Sequence, residues 1–95
     1  MKVRWLLRAT TDLKSVESYI MLYDQSAAAR MVNKIFTLVE KQLPIAPQSG
    51  RGGRVPNTRE LVVAKTPFIV VYRIVESEIH ILSVRHSSQL WPEQF

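Results

Sequence analysis

The chain has 95 residues, enough for one domain with a single modest core and too few for two. Its 46% hydrophobic and 22% charged content excludes a disordered chain. The absence of cysteine excludes a disulfide framework or a thiolate nucleophile, and two histidines supply no closed metal site.

Near the N-terminus, Val3, Trp5 and Leu7 alternate with Lys2, Arg4 and Arg8, the period-2 pattern of a strand with one buried face. Basic residues thread this stretch and no small-residue cleavage site follows, so it reads as a first strand rather than a signal peptide. No apolar run approaches the roughly 20 residues of a membrane helix, and a cytoplasmic protein without membrane contact is expected. A first helix is predicted from about Thr11 to Tyr23, capped by Thr10 or Thr11, with Asp12 in its first turn. Leu13, Val16, Ile20 and Tyr23 mark its inward face. Ser26 caps a second helix running to about Leu43, where Pro44 and Pro47 stop it. Ala28, Met31, Val32, Ile35, Leu38, Val39 and Gln42 form its inward stripe, and the Asp24-Gln25 link makes the pair an antiparallel hairpin.

The second half changes period. Arg59 to Ala64, Phe68 to Val75 and Ile79 to Arg85 are β-branched or aromatic runs separated by turn-like Lys65-Thr66-Pro67 and Glu76-Ser77-Glu78. They predict an antiparallel meander, and the whole is β-α-α-β-β-β: an α+β two-layer single domain, a helical hairpin packed on an antiparallel sheet. Within Phe68 to Val75 both faces are apolar, Phe68, Val70, Tyr72 and Ile74 on one and Ile69, Val71, Arg73 and Val75 on the other. Two helices cover one side of a four-stranded sheet. The second side calls for the chain's own tail, with Leu90, Trp91 and Phe95, another subunit, or a partner protein.

Gly50-Arg51-Gly52-Gly53-Arg54-Val55-Pro56-Asn57-Thr58-Arg59 carries three arginines on a glycine-rich loop, and no carboxylate occurs from Lys41 to Arg59. Glycines permit close backbone approach and guanidinium forks suit phosphate or carboxylate. The loop is therefore a solvated hairpin or a binding surface for nucleic acid or an acidic protein segment. The net charge of +5 favours such polyanions. Arg73 lies mid-strand, either paired with Glu60 or facing a basic groove with Arg85. His86, at the end of the last strand, is a candidate general acid or base, or a hydrogen-bonded surface residue. His80 alternates onto the face of Leu82, Val84 and His86. No Walker loop, nucleotide fingerprint or Ser-His-Asp signature is present.

Four motifs carry a resemblance that covers nearly the whole chain: Thr11-Asp12-Leu13 leading to Tyr19-Ile20, Gly53 to Leu61, Pro67 to Arg73, and Ile81 to His86 with Trp91-Pro92. Together they resemble the RelE/ParE superfamily of bacterial toxin–antitoxin modules. The resemblance implies a growth-arresting toxin that needs no cofactor, neutralised in a hetero-oligomer by an acidic antitoxin segment, with Ile69, Val71 and Trp91 as antitoxin contacts. RelE-like members cut mRNA on the ribosome; ParE-like members inhibit DNA gyrase. The nucleases carry an arginine three residues before the third-strand tyrosine, where this chain has Ile69. Arg85 and His86 match the second catalytic cluster only in part, and they are the catalytic candidates if the chain is a nuclease. Arg51, Arg54, Arg59 and Arg73 are the expected nucleic-acid or target-binding residues for either mechanism. Tyr72-Arg73 and the Arg85-His86 ending resemble the ParE-like branch, with a ribosome-dependent endoribonuclease as the alternative.

Overall fold

The computed structural model describes residues 1–95. β1 (Lys2–Trp5) leads into a hairpin of α1 (Leu7–Met21) and α2 (Gln25–Thr37), extended by a π-helical turn at Leu38–Gln42. Then come β2 (Arg51–Gly52), β3 (Arg59–Val62), β4 (Phe68–Val75) and β5 (Glu78–His86). The sheet order is β1-β5-β4-β3-β2; β1 runs parallel to β5 and the other pairs are antiparallel. The two-layer α+β plan agrees with the sequence, with two differences: the sheet is mixed, and Arg51–Gly52 adds a fifth, edge strand.

The helix ends differ from the sequence expectation for local reasons. α1 begins at Leu7 with no side-chain cap, because Leu6 N–H still bonds Ile81 O of the sheet and the chain turns directly into the helix. Thr10 Oγ1 donates back to Leu7 O instead of capping. Asp12, now within the helix, reaches the sheet: its carboxylate accepts from Ser83 Oγ and from Val84 N–H. α2 is capped by Asp24, whose side chain accepts from Ala27 N–H at 3.1 Å, two positions before Ser26, the cap read from the sequence. The extra residue in the π-helical turn carries Glu40 to β1, where it accepts from Trp5 Nε1 at 2.9 Å. Trp5 also stacks on Phe36, ring centroids 6.1 Å apart.

The core lies between the hairpin and the sheet. Ala9, Ile35, Val39 and Leu43 meet Val63, Val70, Tyr72, Ile79, Ile81 and Val84, all buried. Ala28 is buried, Met31, Val32 and Leu38 are half-buried, and Gln42 is exposed. Tyr23 is also exposed, because the helix ends before it.

The second sheet face is not open. Ile69 and Val71 are buried within the monomer, and so is Leu82. A bend after β5 returns the tail over this face, with Val55 and Thr58 of the 53–58 segment also buried. Of the three covers considered, the chain itself provides this one. A bulge between the Val71/Ser83 and Tyr72/Ile81 pairs inserts Leu82 and shifts the alternation of β5. His80, which pairs with Arg73, therefore lies on the opposite face from Val84 and His86, correcting the unbroken alternation read from the sequence.

Candidate functional site

Glu60 organises the arginine loop. It is the one carboxylate between Glu40 and Glu76, yet its side chain is only 2% exposed. Arg51 donates to its Oε1 from Nη2 at 2.9 Å and from Nε at 3.2 Å. Arg54 donates to Oε2 from its backbone N–H at 2.8 Å and from Nε at 3.2 Å. Burial pushes the Glu60 carboxyl up, but these bonds and the Arg54 charge outweigh it and hold the group below the usual carboxylate range. The loop is thus an internal ion cluster, in which two of the arginines spend donors on the chain's own carboxylate.

Arg54 is committed on its other side as well. Its guanidinium lies 3.7 Å from the ring centroid of Trp91, with Arg85 6.0 Å from the same ring. Arg85 Nη2 donates to Leu90 O, fixing the residue before the indole. Phe95 meets Trp91 edge-on at 6.5 Å and lies under Arg8 at 5.3 Å. In the sheet register Glu60 pairs with Val71 and Arg85 with Ile69. The Arg54–Trp91–Arg85 assembly therefore stands over the two valine and isoleucine positions that the sequence reading assigned to an antitoxin. In the monomer those two side chains are not surface; half-buried Trp91 is what stands over them.

Two glycines serve this internal packing. A Cβ on Gly53 would collide with Thr58, whose carbonyl oxygen lies 2.8 Å away, and one on Gly50 would lie 2.6 Å from the Tyr72 hydroxyl. That hydroxyl accepts from Gly50 N–H at 2.9 Å and donates to Pro47 O at 2.8 Å. Burial raises the Tyr72 pKa, opposed by the Gly50 N–H and the Arg59 charge. Only at Gly52 is the space open.

Arg59 and Arg73 make no ion pair. Arg59 Nη1 donates to Gly50 O at 2.8 Å, and Arg73 Nε to Asn57 O at 3.1 Å. Arg73 thus takes neither of its two expected roles, since Arg51 and Arg54 occupy Glu60. Both arginines line one groove of about 560 Å³.

His86 is elsewhere. Its ring meets Phe68 edge-on at 5.5 Å and lines a cleft of about 620 Å³ between α1 and the β4–β5 end, with Val16, Tyr19, Ile20 and Phe68 as apolar wall. Its Nδ1 lies 3.1 Å from Ser88 N–H, which donates to it, and 2.7 Å from Ser88 Oγ. The structure therefore brings together Arg51, Arg54 and Arg85 around Glu60 and Trp91, and separates His86 from them by the sheet. Glu60 and Asp12 are the organisers; in the sequence Glu60 reads only as a possible partner of Arg73, and Asp12 only as a first-turn residue of the helix. The signal for Glu60 was present: one carboxylate closing an acid-free, arginine-rich stretch.

Residues 3–91 match the family described as the ParE toxin of the type II toxin–antitoxin system parDE. The Y4kP protein of Sinorhizobium fredii is 46% identical over 92 residues, covering 97% of this chain and 94% of that protein. Toxin RelE2 of Caulobacter vibrioides is 33% identical over 89 residues, covering 94% and 98%. Among solved structures, a chain of the chromosomal ParDE system from P. aeruginosa superposes with a TM-score of 0.80 at 30% identity, over 90% of this chain and 95% of that one. A chain of the RelBE2 toxin–antitoxin complex from Mycobacterium tuberculosis gives 0.67 at 20% identity over the same shares, a likeness of fold.

Proposed function

This chain belongs to the ParE toxin family of type II toxin–antitoxin systems, and from that premise we propose that it arrests growth by binding DNA gyrase, without cutting RNA. One observation carries the reading. RNA cleavage needs a base for the 2′-OH and cations for the phosphate converging on one centre. Here the only histidine candidate, His86, lies on the α1 side of the sheet, while Arg51, Arg54 and Arg85 lie on the other. Ile69, at the position where nucleases of the superfamily carry arginine, is buried and apolar. A toxin that acts by binding needs a surface and no convergent catalytic centre.

A cognate antitoxin is the expected partner, in keeping with the toxin–antitoxin systems in which the similar solved chains occur. With Ile69 and Val71 buried, the α1 side offers an accessible apolar surface. Tyr19, Leu22 and Tyr23 are exposed at the hairpin tip, beside the cleft walled by Ile20 and Phe68. Gyrase as target requires a cytoplasmic protein, and no helix here is long and apolar enough to cross a membrane.

The test assays the purified chain on two targets in parallel. Inhibition of gyrase supercoiling with mRNA left intact on programmed ribosomes is the expected result. Cleavage of that mRNA with gyrase unaffected would replace this reading by the ribonuclease one.

A further inference from the structure

We propose that Arg59 and Arg73 form a seat for the carboxylates of an acidic peptide segment, distinct from the Glu60 cluster and independent of which enzyme the toxin arrests. The two guanidinium groups line one groove with Gln48, Asn57 and Thr58, and Ile74 is its single apolar wall residue. Each arginine is tethered by a main-chain acceptor, Gly50 O for Arg59 and Asn57 O for Arg73. Tethering fixes the forks at little further entropic cost, and it leaves both Nη groups of Arg73 without a partner in the chain. Asn57 is held at φ 62, a left-handed conformation that asparagine tolerates well, and this turn presents its carbonyl to Arg73.

Charge separates this groove from every other arginine site in the loop. Arg51 and Arg54 share the one negative charge of Glu60, and outside the loop Arg4 pairs with Glu78. The 560 Å³ groove has no carboxylate among its lining residues. Across Arg73 a second hollow contains Glu93 of the tail, which makes no ion pair with it. Two fixed cations in a polar trough without an internal counter-charge attract an anion.

The lining also selects the kind of anion. Single-stranded nucleic acid binds on aromatic platforms that stack its bases, and no aromatic side chain lines this groove. Of the rings near it, Trp91 is covered by Arg54, and Phe95, in the hollow across Arg73, is engaged edge-on by Trp91 and lies under Arg8. What remains is a shallow trough of guanidinium, amide and hydroxyl groups, suited to Asp or Glu side chains of an extended peptide.

The experiment titrates the full chain with labelled hexaglutamate, with a glutamine peptide of equal length, and with a single-stranded oligonucleotide of equal charge. Hexaglutamate is expected to bind and the glutamine peptide not. Arg73→Gln should weaken hexaglutamate about tenfold, the loss of a charge-assisted bidentate contact. Arg30→Gln, which removes the same charge from an exposed site on α2, should weaken it less than about twofold. Amide shifts in the native chain, expected at Asn57, Thr58 and Arg73, locate the site without any substitution. Equal losses at Arg73 and Arg30, or shifts centred elsewhere, would overturn the seat. Tighter binding of the oligonucleotide through the same residues would overturn the assignment to an acidic peptide. A failed gyrase assay would leave all of these outcomes unchanged.

Discussion

Arg85 and His86 are neighbours in the chain and lie on opposite faces of the sheet. Arg85 reaches Leu90 O and the Trp91 ring, while His86 faces Phe68 and α1. An extended backbone sends successive side chains to opposite sides, so a dipeptide at a strand end cannot put both groups on one phosphate.

His86→Gln follows from that separation. Glutamine keeps hydrogen-bonding capacity and cannot titrate near neutrality. A general base contributes roughly 10²–10⁴-fold to RNA cleavage. The variant is expected to remain toxic on induction, read as viable counts. Loss of toxicity in a protein that still folds and still binds antitoxin would restore His86 as catalytic.

Trp91→Ala should destabilise the fold by about 2–3 kcal/mol, since it removes the ring held by Arg54 and Arg85 over Ile69 and Val71. The urea midpoint measures the loss, and increased binding of a hydrophobic dye reports the uncovered face. An unchanged midpoint would mean that the tail is a passive cover.

Glu60 contributes to the acid limb of stability. Its folded-state pKa is depressed, so its contribution is complete above the ordinary carboxylate value of 4.5 and is lost as pH falls through the folded value. Glu60→Gln is expected to be less stable at neutral pH and to lose less on acidification. Thermal melts from pH 7 downward test this, and parallel curves for the two proteins would contradict it.

Asp12→Ala leaves Ser83 Oγ and Val84 N–H without their acceptor, in a place where Ser83 is fully buried. An unsatisfied buried donor costs about 1–3 kcal/mol. The loss should appear in chemical denaturation and in faster amide exchange at Val84.

The glycines of the arginine loop divide sharply. Gly53→Ala should cost about 1–3 kcal/mol through its clash with Thr58. Gly52→Ala, in open space, should stay within about 0.5 kcal/mol of the native chain. Equal effects at both positions would show that flexibility, rather than packing, explains these glycines.

Periodicity alone determined the hairpin, the meander and the two-layer plan, because burying one helical stripe and one strand face leaves few arrangements. It also marked both faces of β4 as apolar. Sequence did not reveal what covers the second face. That depends on where the tail lands, and Trp91 packs on an Arg54 that Glu60 holds in place. Nor did it reveal the bulge at Leu82, since an inserted residue leaves no mark in an apolar run and yet moves His80 to the other side. Composition marked the arginines as a group, but only tertiary structure sorted them. Arg51 and Arg54 share the one carboxylate within hydrogen-bond reach, while Arg59 and Arg73 have no acidic partner and donate only to main-chain carbonyls. Such pairings depend on distances of a few ångströms between segments that a linear pattern does not encode.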